Sequence, residues 1–225
     1  MIDGVARLEI EGASHDVYAA LLGPGLRARG LRVSPAPSTR VVLATGDPEA
    51  TRSRLRRRGL AVGEDGDVAV NGLRFGLERP ADAEPEGPDA VELDHVVVHT
   101  ADAQSAVAGY AGRLGLDLRL ERHAPQWGSH MLFLRCGSAV LEVVQPLGEQ
   151  PHEGADAVWG VAWRVPDVAR AAERLTAAGI EVSEVRTGRK PGSRVCTLRD
   201  DRFGVPSLLI QHGRRDDGGR HEKPR

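Results

Sequence analysis

Four times along the chain an amphipathic stretch closes on glycine and an alternating apolar run follows at once. The four places are Gly30-Leu31-Arg32-Val33, Gly59-Leu60-Ala61-Val62, Gly115-Leu116-Asp117-Leu118 and Gly179-Ile180-Glu181-Val182. Glycine there reads as the C-terminal stop of a helix, and the alternation as a half-buried strand. In three of the four an aspartate (Asp47, Asp102, Asp167) stands twelve or thirteen residues before the glycine, where a helix N-cap belongs. Seven residues before each aspartate, Arg40, His95 and Gly160 hold equivalent places in runs of β-branched or aromatic residues. The pattern is a repeated β-α-β unit.

The C-terminal part, residues 92–212, contains two full units, 92–148 and 157–212. The first is predicted as strand 93–100, helix 103–114 and strands 116–122, 130–136 and 139–145. The second is predicted as strand 159–165, helix 168–178 and strands 180–185, 194–199 and 206–211. Ala103, Val107, Tyr110 and Leu114 share one helical face, as do Val168, Ala172, Leu175 and Ala178. Each βαβββ unit thus has one helix to cover one side of a curved sheet, and the other side is left to line a shared half-barrel cleft. Residues 1–80 repeat the design in abbreviated form: a first unit ends after its second strand, and a second keeps strand, helix and three short strands. A reduced α/β layer, degenerate or ferredoxin-like, is expected there. Three prolines and five acidic residues in the segment from Arg79 through Glu92 read as a linker over 81–91, and residues 213–225 as a disordered polar tail. The fold class is α+β.

Composition narrows the setting. A formal net charge of -2 over 225 residues argues against nucleic acid as a partner. The run Arg52 to Arg58, five arginines broken by Ser53 and Leu55, reads as a solvated helix face. Two cysteines provide no disulfide framework, and the start of the chain lacks the order of a signal peptide. With no apolar run of membrane-spanning length, a soluble cytoplasmic protein is expected.

Leu93-Asp94-His95-Val96-Val97-Val98 opens the first unit and Leu141-Glu142-Val143-Val144-Gln145-Pro146 closes it. This pairing resembles the vicinal oxygen chelate superfamily, which includes glyoxalase I, methylmalonyl-CoA epimerase, extradiol dioxygenases and bleomycin-resistance proteins. The resemblance implies a divalent metal (Zn, Fe, Ni or Mn) held between the units by a His or Gln on each first strand and a Glu on each last strand. His95 and Glu142 keep those places in the first unit. In the second unit Gly160 and Leu208 stand in them, so the resemblance implies a site with half its ligands gone. The superfamily's habit of pairing chains leaves a homodimer open.

Two readings of the pair stand. A carboxylate facing a cleft from an otherwise apolar strand needs a cation, a proton or a metal, so Glu142 and His95 are candidates for acid–base catalysis with or without metal. An enzyme of lyase or isomerase type on an anionic, carbonyl-containing substrate follows, with a dioxygenase less favoured. The alternative is a metal-free small-molecule binder of the bleomycin-resistance type, for which Gly160 and Leu208 offer room and apolar surface. Arg186, Arg189, Lys190 and Arg194 lie in a Gly-containing loop that is either an anion clamp or a solvated hairpin. Arg164, the counterpart of His99, is expected to point into the cleft with His99, Phe133 and Trp127. Trp159 and Trp163 are expected in the helix-covered core, and His123 and His152 in loops.

Overall fold

The computed structural model describes residues 1–29, 31–80, 90–148 and 152–213. Gly30 of the first repeat phrase, the linker at 81–89 and the tail beyond 213 lie outside the described residues. The N-terminal half contributes β1 (Gly4–Glu11), α1 (His15–Leu22), β2 (Arg27–Ala28), β3 (Leu31–Ala36), β4 (Arg40–Ala44), α2 (Pro48–Arg57), β5 (Ala61–Val62), β6 (Val68–Val70) and β7 (Leu73–Glu78). The C-terminal half contributes β8 (Glu92–His99), α3, β9 (Asp117–Ala124), β10 (Ser129–Cys136), β11 (Ala139–Pro146), β12 (Ala157–Arg164), α4 (Val168–Ala177), β13 (Arg186–Thr187), β14 (Arg194–Leu198) and β15 (Ser207–Gln211). Helix α3 opens as α over Ala103–Ala106 and continues as a π-helix over Val107–Leu114. No helix among the described residues is long and apolar enough to cross a membrane.

Each half forms one sheet among the described residues. The C-terminal order is β13-β14-β15-β12-β8-β11-β10-β9: two four-stranded modules joined by the antiparallel pair β12–β8. The N-terminal order, β2-β3-β1-β4-β7-β6-β5, has the same plan with one strand fewer, and β1–β4 is its antiparallel seam. It follows the paired-module order and not a ferredoxin-like one. Its first unit runs one short strand further than expected, because Arg27 and Ala28 pair with Arg32 and Leu31.

The N-caps explain where the helices begin. Asp47 accepts a hydrogen bond from Ala50 N, Asp102 from Gln104 N, and Asp167 from Ala169 N and Arg170 N. Gln145 at the end of β11 accepts from Ala103 N, and Gln211 at the end of β15 accepts from Val168 N, both at 3.1 Å. These matched bonds fix the equivalence of the modules: three residues before each glutamine stand Glu142 and Leu208.

The expected strand 180–185 is reduced to a single bridge, Val182 with Leu198. There the Ser183 hydroxyl accepts from Thr197 N, so a side chain takes the ladder bond a strand would make.

One core runs through both halves. Tyr18 of α1 meets Trp163 of β12 and Phe203 edge-on, while Phe75 of β7 meets Tyr110 of α3. Tyr18 Oη donates to Phe203 O at 3.1 Å; Tyr110 Oη and Asn71 Nδ2 both donate to buried Asp156, at 2.7 and 3.2 Å. The helices therefore lie between the sheets, and each sheet turns its other face outward. The N-terminal outer face is filled by ion pairs. Arg40, the counterpart of His95, donates to Glu9 and Asp67 at 2.7 Å, Arg7 to Glu78 at 2.9 Å, and Arg74 to Asp67 at 2.9 Å.

Gly204 closes the turn after Phe203 at φ +74, and a Cβ there would press on Glu11 O and stand 2.9 Å from Ala13 N. Gly204→Ala is expected to cost about 2–4 kcal/mol from left-handed strain and overpacking. The check is a lower urea midpoint with an unchanged slope; a midpoint equal to the parent's would contradict this packing between the halves.

Candidate functional site

The outward face of the C-terminal sheet is built on the β12–β8 seam. The register runs Ala157–His99, Val158–Val98, Gly160–Val97, Val161–Val96, Ala162–His95, Trp163–Leu93 and Arg164–Glu92. Trp159 and Asp94 have no partner in it, so each strand carries one bulge. Val96 and Val98 enter the core, which leaves His95, Val97 and His99 on the outer face. Glu142 lies opposite Val97, and Phe133 lies opposite Glu142.

That register brings His95 and Glu142 together. Their side chains are 20% and 19% exposed, and Nε2 stands 3.7 Å from Oε2. The bulge turns Asp94 to the same face, where its carboxylate accepts from His95 Nδ1 at 2.8 Å and from His212 Nε2. Burial works to raise the Asp94 carboxyl, but the hydrogen bonds and charges of His95 and His212 outweigh it and hold the group well below the usual carboxylate range. Sequence reasoning missed Asp94 and His212. Strict alternation puts Asp94 on the face opposite His95, and only the bulge reverses it.

The other bulge overturns the expectation for Trp159. Trp163 is a core residue, fully buried, but Trp159 is 50% exposed and stacks on His99 at 5.0 Å with 15° between the rings. His152 meets His99 edge-on at 6.1 Å. His123 lies within β9, opposite His130 of β10, because the strand runs to Ala124; His130 bonds Glu121 at 2.8 Å.

β9 and β13 stand at opposite edges of the sheet, yet the loops after them touch. Arg189 Cζ lies 5.4 Å from the centre of the Trp127 ring, and Arg122 Cζ lies 5.6 Å from it. The sheet is curled, and Trp127 and Arg189 meet across its mouth. Arg186, Lys190 and Arg194 are exposed, and Arg186 donates to Thr197 Oγ1 at 3.4 Å. Arg164 is not free in the cleft. It pairs with Glu92, which also binds Arg29 at 2.8 Å, beside a pocket of about 240 Å³ that His212 helps to line.

The fit of a divalent ion turns on the donors. An Nε2–Oε2 separation of 3.7 Å lets both atoms reach one ion at about 2.1 Å each. The second module supplies nothing to complete the set. Leu208 packs against a small apolar cluster of Ala162, Val195 and Ile210. Gly160 is not spare room, because a Cβ there would stand 2.8 Å from Pro206 O. No group of three or more His, Cys, Asp and Glu side chains suited to an ion occurs among the described residues. Catalytic zinc sites take three protein ligands, so His95 and Glu142 alone do not fit a resident zinc ion.

Two βαβββ modules joined edge to edge, curled around one cleft, define the class of protein. Residues 94–197 match the family model of the Glyoxalase/Bleomycin resistance protein/Dioxygenase superfamily, which the chain resembles over this part. The chain is 29% identical over 97 residues to the ethylmalonyl-CoA/methylmalonyl-CoA epimerase of Cereibacter sphaeroides, across 40% of this chain and 72% of that one. A triple mutant of 4-hydroxymandelate synthase from Streptomyces coelicolor shares the fold at TM-score 0.70, with 14% identity, over 94% of this chain and 93% of that one. This likeness includes the N-terminal sheet. Methylmalonyl-CoA epimerase from Mycobacterium tuberculosis matches at 24% identity and TM-score 0.46, over 54% of this chain and 87% of that one.

Burial, and then the charge of His152, lower the pKa of His99 below its ordinary value. Folding thus disfavours the charged ring: its stability cost is absent well above the unfolded value of about 6.5 and grows as pH falls below it. The His99 midpoint in NMR titration is expected below 6.5, with His152→Ala moving it part of the way back up. A midpoint at or above the ordinary value would contradict this placement.

Proposed function

We propose that the chain is a small-molecule enzyme of isomerase or lyase type. It moves a proton at the carbon beside a carbonyl of an anionic substrate, and its own side chains supply the acid and the base. The 3.7 Å approach of His95 Nε2 to Glu142 Oε2 on the cleft face carries this reading. Asp94 can only accept, so it holds the proton of His95 on Nδ1 and directs Nε2 at Glu142. One further proton at Nε2 or Oε2 makes one partner an acid and the other a base. A substrate carbon facing the pair can lose its proton to one and regain a proton from the other, while exposed Arg189 offers its guanidinium to the substrate's anionic group. The resemblance of residues 94–197 to a superfamily that includes an epimerase of acyl-CoA thioesters supports the reaction type.

A second reading, a metal-free binding protein of the bleomycin-resistance type, is favoured by one observation. The two positions that would complete a metal site are Gly160 and Leu208.

Deuterium uptake at C2 of methylmalonyl-CoA and ethylmalonyl-CoA in D₂O, followed by NMR, separates the two. The enzyme reading expects uptake that survives dialysis against a chelator and falls about 100-fold or more in Glu142→Gln. Equal uptake in Glu142→Gln overturns the role of the pair. No uptake from either thioester, with a cleft ligand bound equally well by the parent and Glu142→Gln, supports the binder.

A further inference from the structure

Five large apolar side chains are exposed among the described residues: Met1, Leu120, Trp127, Leu147 and Trp159. By the strand register, all but Met1 lie toward the end of the C-terminal sheet where β8 and β11 finish. Leu120 lies opposite Phe133, Phe133 opposite Glu142, Glu142 opposite Val97 and Val97 opposite Gly160, forming one row across five strands. In the next row, toward the end of β8, stands His99, on which Trp159 stacks. Trp127 lies in the turn between β9 and β10, and Leu147 N donates to Gly128 O of that turn at 2.8 Å. Exposed apolar residues scattered singly need no explanation, but a contiguous group inside a concavity marks a binding surface.

The same end carries two cations that no described carboxylate pairs with. Arg122 and Arg189 approach the Trp127 ring from loops and strands at opposite edges of the sheet. Neither is paired with a carboxylate among the described residues. One face of the Trp159 indole is taken by the His99 ring, whose charged form burial disfavours, and half of the side chain remains open.

We infer that this end of the cleft takes a flat aromatic or heteroaromatic ring joined to an acidic group, with the ring against the open side of Trp159 and the acid at Arg122 and Arg189. The inference rests on the proposed function only in placing the ligand beside His95 and Glu142. It adds the class of substrate: a planar aromatic acid, as opposed to a short aliphatic one. The bulge at Trp159 serves this end, because without it the indole would point into the core.

Calorimetric titration of the full chain with 2-naphthoate tests the inference, with 2-naphthalenemethanol (ring without acid) and cyclohexanecarboxylate (acid without flat ring) for comparison. Naphthoate is expected to bind at least about fivefold more tightly than either comparison compound. Trp159→Ala should weaken naphthoate about fivefold and leave cyclohexanecarboxylate unchanged, while Trp159→Phe, which keeps a ring, should stay within about twofold of the parent and so separate lost stacking from lost folding. Arg189→Ala should bring naphthoate toward naphthalenemethanol. Equal binding of naphthoate and cyclohexanecarboxylate, or an unaltered Trp159→Ala, overturns the inference. So does sedimentation showing a dimer that Trp159→Ala splits and naphthoate does not, since a second copy then covers the patch. Naphthoate bound as stated without deuterium uptake from any acyl thioester overturns the proton chemistry alone; uptake with naphthoate excluded overturns the aromatic-acid site alone.

Discussion

The antiparallel seam between β8 and β12 is the constraint on which the site depends. It is the sole direct strand pairing between the two modules among the described residues, and it carries one bulge on each strand. Because side chains alternate with a period of two, a single extra residue moves its neighbours from one face to the other. Here the extra residues are Asp94 and Trp159. The first sets a carboxylate against His95 Nδ1, and the second sets an indole against His99. Two compensating bulges keep Val96, Val98 and Trp163 in the core while both polar and aromatic groups are delivered to the cleft.

The two sheets show what a shared plan leaves free. Both have paired modules around an antiparallel seam, and their helices meet in a common core. On the N-terminal sheet the outer face is occupied by Arg40, Glu9, Asp67, Arg74, Arg7 and Glu78, which satisfy one another. On the C-terminal sheet the equivalent face carries the imidazoles of His95 and His99 and the carboxylates of Asp94 and Glu142, with apolar and aromatic neighbours. Chemistry needs groups whose charge is not already matched, so the second face is where a reaction can be housed.

Much of this was legible in the chain. The glycine–apolar repeat and the three aspartate caps located both C-terminal units, their helices and the faces of His95, Glu142 and Phe133, because those features depend on local periodicity and on hydrogen bonds within a few residues. The bulges were not legible. Asp94 adjoins His95 in the sequence, and nothing in its neighbourhood signals an extra residue; Trp159 reads as a core aromatic for the same reason. Contacts between distant loops, such as Arg189 with Trp127, and the pairing of Arg164 with Glu92 depend on how the sheet curls and where the N-terminal half brings Arg29, which no local pattern encodes. Gly160 looked like room made by a lost ligand, whereas the backbone at Pro206 already fills it.

A crystal structure of the protein, read at the seam, tests the account most directly. The account predicts Asp94, His95, Glu142 and Trp159 on one side of the sheet, with His95 Nε2 near 3.7 Å from Glu142 and the indole stacked on His99. An unbroken β8–β12 ladder, with Trp159 packed among the helices and Asp94 turned from His95, would contradict it.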